Sequence, residues 1–64
     1  MEKGYKTYFF DELGKEIYNA PGIIPVYEGM LVDDMGPVYI VTYSKFVIEL
    51  DNIFYLNVYC KYRG

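Results

Sequence analysis

The segment IFYLNVYCKY, residues 53–62, limits the fold more than any other stretch of the chain, because alternate positions give two different patterns. Successive side chains of a β-strand point to opposite faces of the sheet. One set is apolar and predicts a core face: Phe54, Leu56, Val58, Cys60 and Tyr62. The other set should be solvated, yet it includes two tyrosines and an isoleucine: Ile53, Tyr55, Asn57, Tyr59 and Lys61. We therefore predict a strand with tyrosines on its outer face.

Aromatic side chains are too numerous for the interior of so short a chain. Nine tyrosines and four phenylalanines occur among 64 residues. A chain of this length makes one domain, residues 1–64, and buries only about 60% of the surface that its unfolded form exposes. Each ring buries on the order of 150–250 Å². Some rings must therefore be exposed singly, covered by a second copy, or reserved for a partner.

The N-terminal segment, residues 5–20, predicts a β-hairpin. A helix starting at Asp11 would place Gly14 in its interior, whereas a turn over residues 12–14 uses Gly14 in the left-handed conformation. The expected cross-strand pairs are Asp11 with Lys15, Phe10 with Glu16, Phe9 with Ile17, and Tyr8 with Tyr18. In that register one face carries Thr7, Phe9 and Ile17, and the other carries Tyr8, Phe10 and Tyr18.

The segment from Pro21 to Pro25 breaks regular structure, because it contains two prolines and a glycine. Proline cannot donate a hydrogen bond to a neighbouring strand. We therefore expect Ile23 and Ile24 to lie in a crossing segment under the sheet rather than in a central strand.

The second half of the chain predicts a short strand at residues 30–32, a tight turn at residues 33–36 and a long strand at residues 38–50. A bend or bulge near Ser44-Lys45 would let the long strand serve two sheets, as small barrels require. Asp51-Asn52 predicts the final turn.

Together these elements predict an all-β fold of five to six strands with no substantial helix, forming a small antiparallel barrel or a strongly bent sheet. The runs PVYEGMLV, VYIV and LNVYC resemble the layout of small SH3-like barrel proteins, and the preceding FFDELGKEIY is similar to hairpins of short proteins encoded by bacteriophages and other mobile elements. The resemblance implies an SH3-like fold and a phage-type origin. It assigns no activity, because such barrels host many unrelated functions.

Charge and cysteine content restrict the classes of partner and the compartment. The net charge is −3 and Arg63 is the single arginine, which argues against nucleic acid as a partner. No apolar run approaches the 18 or more residues of a membrane span, so we expect no membrane association. A single cysteine, Cys60, forms no internal disulfide and should be a small buried hydrophobic residue. We expect the protein in the cytoplasm of a bacterial host.

Residues for common catalytic mechanisms are missing. The sequence has no histidine, one cysteine and no glycine-rich phosphate-binding loop, so we expect no enzymatic activity, no cofactor and no metal. Asp33 and Asp34 could contribute to a divalent-cation site, but such a site needs more oxygen ligands. The carboxylates that could hydrolyse a glycoside by residue type alone are Glu28, Asp33, Asp34, Glu49 and Asp51. We interpret them as turn and surface residues.

The candidate partner-binding site is an aromatic patch of Tyr43, Tyr55 and Tyr59, rimmed by Glu49 and Asp51. The alternative is that these tyrosines only pair with side chains of neighbouring strands. Tyrosine is enriched at protein contacts, because its ring supplies area at a small entropic cost and its hydroxyl still forms hydrogen bonds. An acidic rim would favour a basic target surface.

We therefore hypothesise a non-enzymatic, homo-oligomeric binding protein. In its most specific form it is a phage or mobile-element inhibitor that blocks a host enzyme or a bacterial immune-system protein. One alternative is an oligomeric sponge for a small molecule such as a nucleotide, with aromatic walls around the ligand. Another is a small structural subunit that assembles through open strand edges.

Overall fold

A computed structural model describes residues 5–49 and 53–64 as one strongly curled, five-stranded half-barrel sheet. Its strands are β1 (Tyr5–Phe10), β2 (Glu16–Pro21), β3 (Leu31–Asp33), β4 (Val38–Glu49) and β5 (Ile53–Tyr62). Their order across the sheet is β2-β1-β5-β4-β3. The described residues contain no helix, which confirms the predicted all-β class, and β1 and β2 form the predicted N-terminal hairpin.

Strands β1 and β5 pair in parallel, with Tyr5 opposite Phe54 at one end and Phe10 opposite Tyr59 at the other. The other pairs are antiparallel. The predicted antiparallel barrel contains no parallel pair, whereas the alternative prediction, a strongly bent all-β sheet, is confirmed. A parallel pair needs a long crossover connection, and here β2, β3 and β4 all lie in the chain between β1 and β5.

The hairpin turn forms as predicted, but beyond it β1 and β2 do not pair in the predicted register. The Asp11 side chain accepts hydrogen bonds from the backbone N–H groups of Leu13 and Lys15, and Gly14 is left-handed with φ 82°. Phe10 pairs with Glu16, as expected, and then a β-bulge inserts one extra residue in β2.

The bulge in β2 places Phe9 opposite Tyr18 rather than Ile17, and Tyr8 opposite Asn19 rather than Tyr18. The Tyr18 ring consequently lies 5.9 Å from the Phe9 ring, on the face opposite to Tyr8. The predicted grouping of Tyr18 with Tyr8 and Phe10 is wrong for this reason.

A second bulge lies in β4 at Thr42, two residues before the predicted Ser44-Lys45. Val41 pairs with Cys60, whereas Tyr43 pairs with Tyr59. The Thr42 hydroxyl donates a hydrogen bond to the Tyr59 carbonyl oxygen at 2.9 Å. The strand remains within one sheet instead of serving two, and the bulge moves Tyr43 to the face opposite Val41.

The turn between β3 and β4 confirms the prediction for residues 33–36. Asp34 N–H donates to the Pro37 carbonyl, the Asp33 carboxylate accepts from Gly36 N–H, and Met35 is left-handed with φ 55°. The predicted turn at Asp51-Asn52 lies outside the described residues.

The inner face of the sheet carries the core and is covered by the crossing segment. Its buried apolar side chains are Phe9, Val41, Leu56, Val58 and Cys60. This confirms Leu56, Val58 and Cys60 as members of the predicted core face. Burial raises the pKa of the Cys60 thiol, which fits its predicted role as a buried hydrophobic residue.

Thr7 attaches the crossing segment to the sheet. This fully buried side chain donates a hydrogen bond to the Gly22 carbonyl at 2.8 Å and accepts one from Ile24 N–H at 3.0 Å. Ile24 then packs against the core, as predicted, together with Val26 and Met30. Ile23 stays partly exposed.

The core occupies only part of the inner face. At the end of the sheet where β1 and β5 begin, an inner patch of Tyr5, Phe46, Ile48 and Phe54 remains partly open to solvent. The Phe54 ring stacks on Tyr5 at 5.2 Å and on Phe46 at 5.7 Å.

Candidate functional site

The outer face of the sheet, opposite the core, carries a continuous aromatic row. Its members come from the three central strands: Tyr8 and Phe10 from β1, Tyr55 and Tyr59 from β5, and Tyr43 from β4. Each of these side chains is half-buried or exposed, and Tyr43 is 58% exposed. We call these five side chains the aromatic row.

The rings of the aromatic row stack mainly on one another. Tyr43 and Tyr59 lie 4.6 Å apart between ring centroids with an interplanar angle of 18°, and Tyr59 stacks on Phe10 at 5.5 Å. Phe10 lies 6.2 Å from Tyr8, which meets Tyr55 edge-on at 5.6 Å. The stacked rings therefore cover much of one another's faces.

Two features of the backbone assemble the aromatic row. The parallel pairing of β1 with β5 sets Phe10 beside Tyr59 and Tyr8 beside Asn57. The bulge at Thr42 then turns Tyr43 onto the same face. Strand periodicity alone would have placed Tyr43 with Val41 on the inner face.

The predicted site residues Tyr43, Tyr55 and Tyr59 therefore share one face. Tyr43 and Tyr59 are in direct contact, and Tyr55 connects to them through Tyr8 and Phe10. The sequence prediction omitted these last two residues from the site. The alternating pattern of the hairpin did indicate that they share a face, but nothing in the sequence paired that face with β5.

Charged groups of both signs border the aromatic row. The charge of the Glu49 carboxylate raises the pKa of Tyr55 above its ordinary value, and partial burial and Tyr8 raise it further. The Lys6 ammonium lies 5.6 Å from the centre of the Tyr8 ring, within cation–π range. Lys45 projects from the same face as Tyr43. The predicted acidic rim is thus a mixed one in the described residues, and Asp51 lies outside them.

A shallow groove of about 320 Å³ borders the end of the aromatic row near the hairpin turn. Its lining is Asp11, Glu12, Thr42, Tyr43, Tyr59, Cys60 and Lys61. Both carboxylates hold backbone groups: Asp11 accepts from the turn, and Glu12 accepts from Tyr62 N–H at 3.4 Å. Their positions are therefore explained by the local fold.

Within the part of the chain that the structure describes, no three side chains of the His, Cys, Asp or Glu type form a group that could hold a metal ion. Asp33, considered above for a cation, uses one carboxylate oxygen to close its own turn. Across residues 5–49 and 53–64 there is also no helix with the length and apolar character needed to cross a membrane.

Comparison of the chain with protein-family models, with curated proteins and with solved structures found no match. The candidate site therefore has to be interpreted from its own geometry.

Proposed function

We propose that this chain is a non-enzymatic binding protein that recognises a larger protein through the aromatic row. The observation that carries the proposal is the gathering of five aromatic side chains from three strands onto one partly exposed face. Exposed aromatic groups of this kind are typical of protein contacts.

The mixed charges at the border favour a protein partner over a nucleic acid. Lys6 and Lys45 lie on the face of the row, Lys61 lines the groove at its end, and Glu49 lies beside Tyr55. The whole chain carries a net charge of −3. Single-stranded nucleic acids also need flat ring faces on which bases can stack. In the aromatic row most ring faces already cover one another.

The resemblance to short phage-encoded proteins with an SH3-like layout supports the most specific form of the proposal. In that form the chain is a phage or mobile-element inhibitor, acting in the bacterial cytoplasm, that blocks a host enzyme or a protein of the bacterial immune system. The absence of histidine from the sequence agrees with action by binding rather than by catalysis.

The nucleotide-sponge alternative has less support from the geometry. A planar ligand would have to separate rings that already stack on one another, such as Tyr43 and Tyr59. The adjoining groove offers one cation, Lys61, beside two carboxylates, which is a poor environment for a phosphate.

Capture of a partner from bacterial lysate by Tyr43→Ser and Tyr27→Ser variants would test the proposal. Both tyrosines are well exposed, at 58% and 68%, but Tyr27 lies between β2 and β3, beside Val26, which packs against the core on the inner face. We expect Tyr43→Ser to reduce affinity by about tenfold or more, as for aromatic anchor residues of other interfaces, and Tyr27→Ser to retain it. Equal capture by the two variants would contradict the proposal.

A further inference from the structure

Strand β4 is paired on both sides in its first part and on one side in the remainder. Val38 to Ile40 pair with β3, and Val41 exchanges backbone hydrogen bonds with Gly29 and Met30. From Thr42 to Glu49, no strand within residues 5–49 and 53–64 pairs with the side of β4 that faces away from β5. We call this side of residues 42–49 the free edge. The backbone groups on this side, which no strand of the described residues pairs, are a template for another strand.

The side chains along the free edge are also open to solvent. Phe46 and Ile48, on the inner face, are 50% and 66% exposed. Lys45 and Glu49 are exposed on the outer face. Between them lies Val47, so that the sequence of the free edge reads KFVIE over residues 45–49.

We propose that two copies of the chain pair antiparallel along the free edge, with Val47 of one copy opposite Val47 of the other. In this register Lys45 lies opposite Glu49 of the second copy, and Phe46 lies opposite Ile48. The twofold symmetry repeats each contact. Opposite charges and aromatic–aliphatic pairs both stabilise directly opposed strand positions.

The sequence KFVIE favours this register over its neighbours. Centring the pair on Phe46 would place Lys45 opposite Val47 and leave its charge without a partner. Centring it on Lys45 would set two lysines against each other, which destabilises an antiparallel pair. The Val47 register alone among these three matches both the charges and the apolar side chains.

A second copy fits the free edge better than an unrelated strand does. A lysine in an edge strand discourages pairing with most other strands. Glu49 of a second copy would neutralise that lysine at the matching position on the outer face. The contact is short, and interfaces below about 1,200 Å² are weak, so we expect a dimer that forms at micromolar or higher concentrations. The contact uses the edge of the sheet and does not depend on partner binding at the aromatic row.

Cysteine cross-linking tests the register. Opposed Cα atoms in an antiparallel pair lie about 4.5–5.5 Å apart, which a disulfide can span. Val47→Cys should therefore form a covalent dimer under a mild oxidant. Lys45→Cys should form no such dimer. Its counterpart in the second copy lies four residues along the opposed strand, or about 14 Å away at 3.4 Å per residue. The native Cys60 is buried, and oxidation of the unsubstituted protein is the control for any cross-link through this cysteine. Equal yields at the two positions would overturn the proposal.

A charge exchange tests the pairing of Lys45 with Glu49 by sedimentation equilibrium. Lys45→Glu should raise the dimer dissociation constant by about tenfold or more, since two attractive pairs become repulsive. Adding Glu49→Lys should restore it to within about threefold of the unsubstituted protein. Lys15→Glu, at the hairpin turn, makes the same change in net charge and should have little effect. A double variant as weak as Lys45→Glu, or a protein that stays monomeric at about 1 mM, would contradict the pairing.

Discussion

Both faces of the sheet carry large apolar side chains, but within residues 5–49 and 53–64 it is the inner face that another segment of the chain covers. Phe9 and Val58 on the inner face are buried beneath the crossing segment, whereas Tyr43 on the outer face is more than half exposed. The outer rings shield one another by stacking instead. The comparison indicates that the inner face provides most of the stability and that the outer face is available for recognition.

The largest effect on stability should come from the inner face. Leu56→Ala removes a buried side chain from the core and should lower the free energy of unfolding by about 2–4 kcal/mol. Urea denaturation would measure the loss. Ile48→Ala is the control on the same face, because Ile48 is 66% exposed, and it should change stability by less than about 0.5 kcal/mol. Equal losses at the two positions would mean that the core extends over the inner patch.

The attachment of the crossing segment should have the next largest effect. Thr7→Val keeps the shape of the side chain but leaves the Gly22 carbonyl and the Ile24 N–H without their partner. We expect a loss of about 1–3 kcal/mol in the free energy of unfolding. Thr7→Ser retains the hydroxyl. In urea denaturation its free energy of unfolding should therefore be closer to that of the unsubstituted protein than the value for Thr7→Val is. If Thr7→Val were the more stable of the two, the cover of the inner face would not depend on these hydrogen bonds.

The aromatic row should matter less to folding. Tyr43→Ser removes the stacking contact with Tyr59, and aromatic pairs contribute about 0.5–1.5 kcal/mol beyond burial. We expect the free energy of unfolding to fall by about 1 kcal/mol, as measured by urea denaturation. A loss as large as that of Leu56→Ala would remove the distinction between the two faces.

The smallest effect concerns the ionisation of Tyr55. Its pKa is raised in the folded protein, chiefly by the charge of Glu49. Folding therefore favours the neutral phenol of Tyr55. The stability that this preference adds to the folded state is fully present below the unfolded pKa of about 10. It is lost as pH rises through the higher pKa of the folded state. Glu49→Gln should shift the ultraviolet tyrosinate titration toward lower pH. An unchanged titration would mean that Glu49 does not contact this end of the aromatic row.

Local sequence patterns predict much of the fold, and the errors of the prediction come from long-range strand pairing. Alternation in β5 correctly identified Leu56, Val58 and Cys60 as core, and turn chemistry located the loops at Gly14 and at residues 33–36. A bulge depends on how two strands fit, so periodicity within one strand could not place it. The same limit applies to the parallel pairing that joins β1 to β5.

In the candidate site, too, local patterns predict some residues and long-range strand pairing places the others. Tyrosine content and strand alternation led to Tyr55 and Tyr59, which do lie together on the outer face. Tyr43 was chosen with them, but only the bulge at Thr42 places it there. Phe10 joins the row through a contact between strands far apart in the sequence, which no local pattern encodes.

Site-specific photo-crosslinking in bacterial cells tests the central claim, recognition through the outer face, most directly. A photoreactive phenylalanine would replace Tyr43 on the outer face and, in a matched protein, Tyr62, which is similarly exposed on the inner face. Apart from links to a second copy, which the free edge predicts at position 43, we expect a single polypeptide of different mass to be linked at position 43 and not at position 62. Linking of the same polypeptide at both positions, or only at position 62, would contradict the claim.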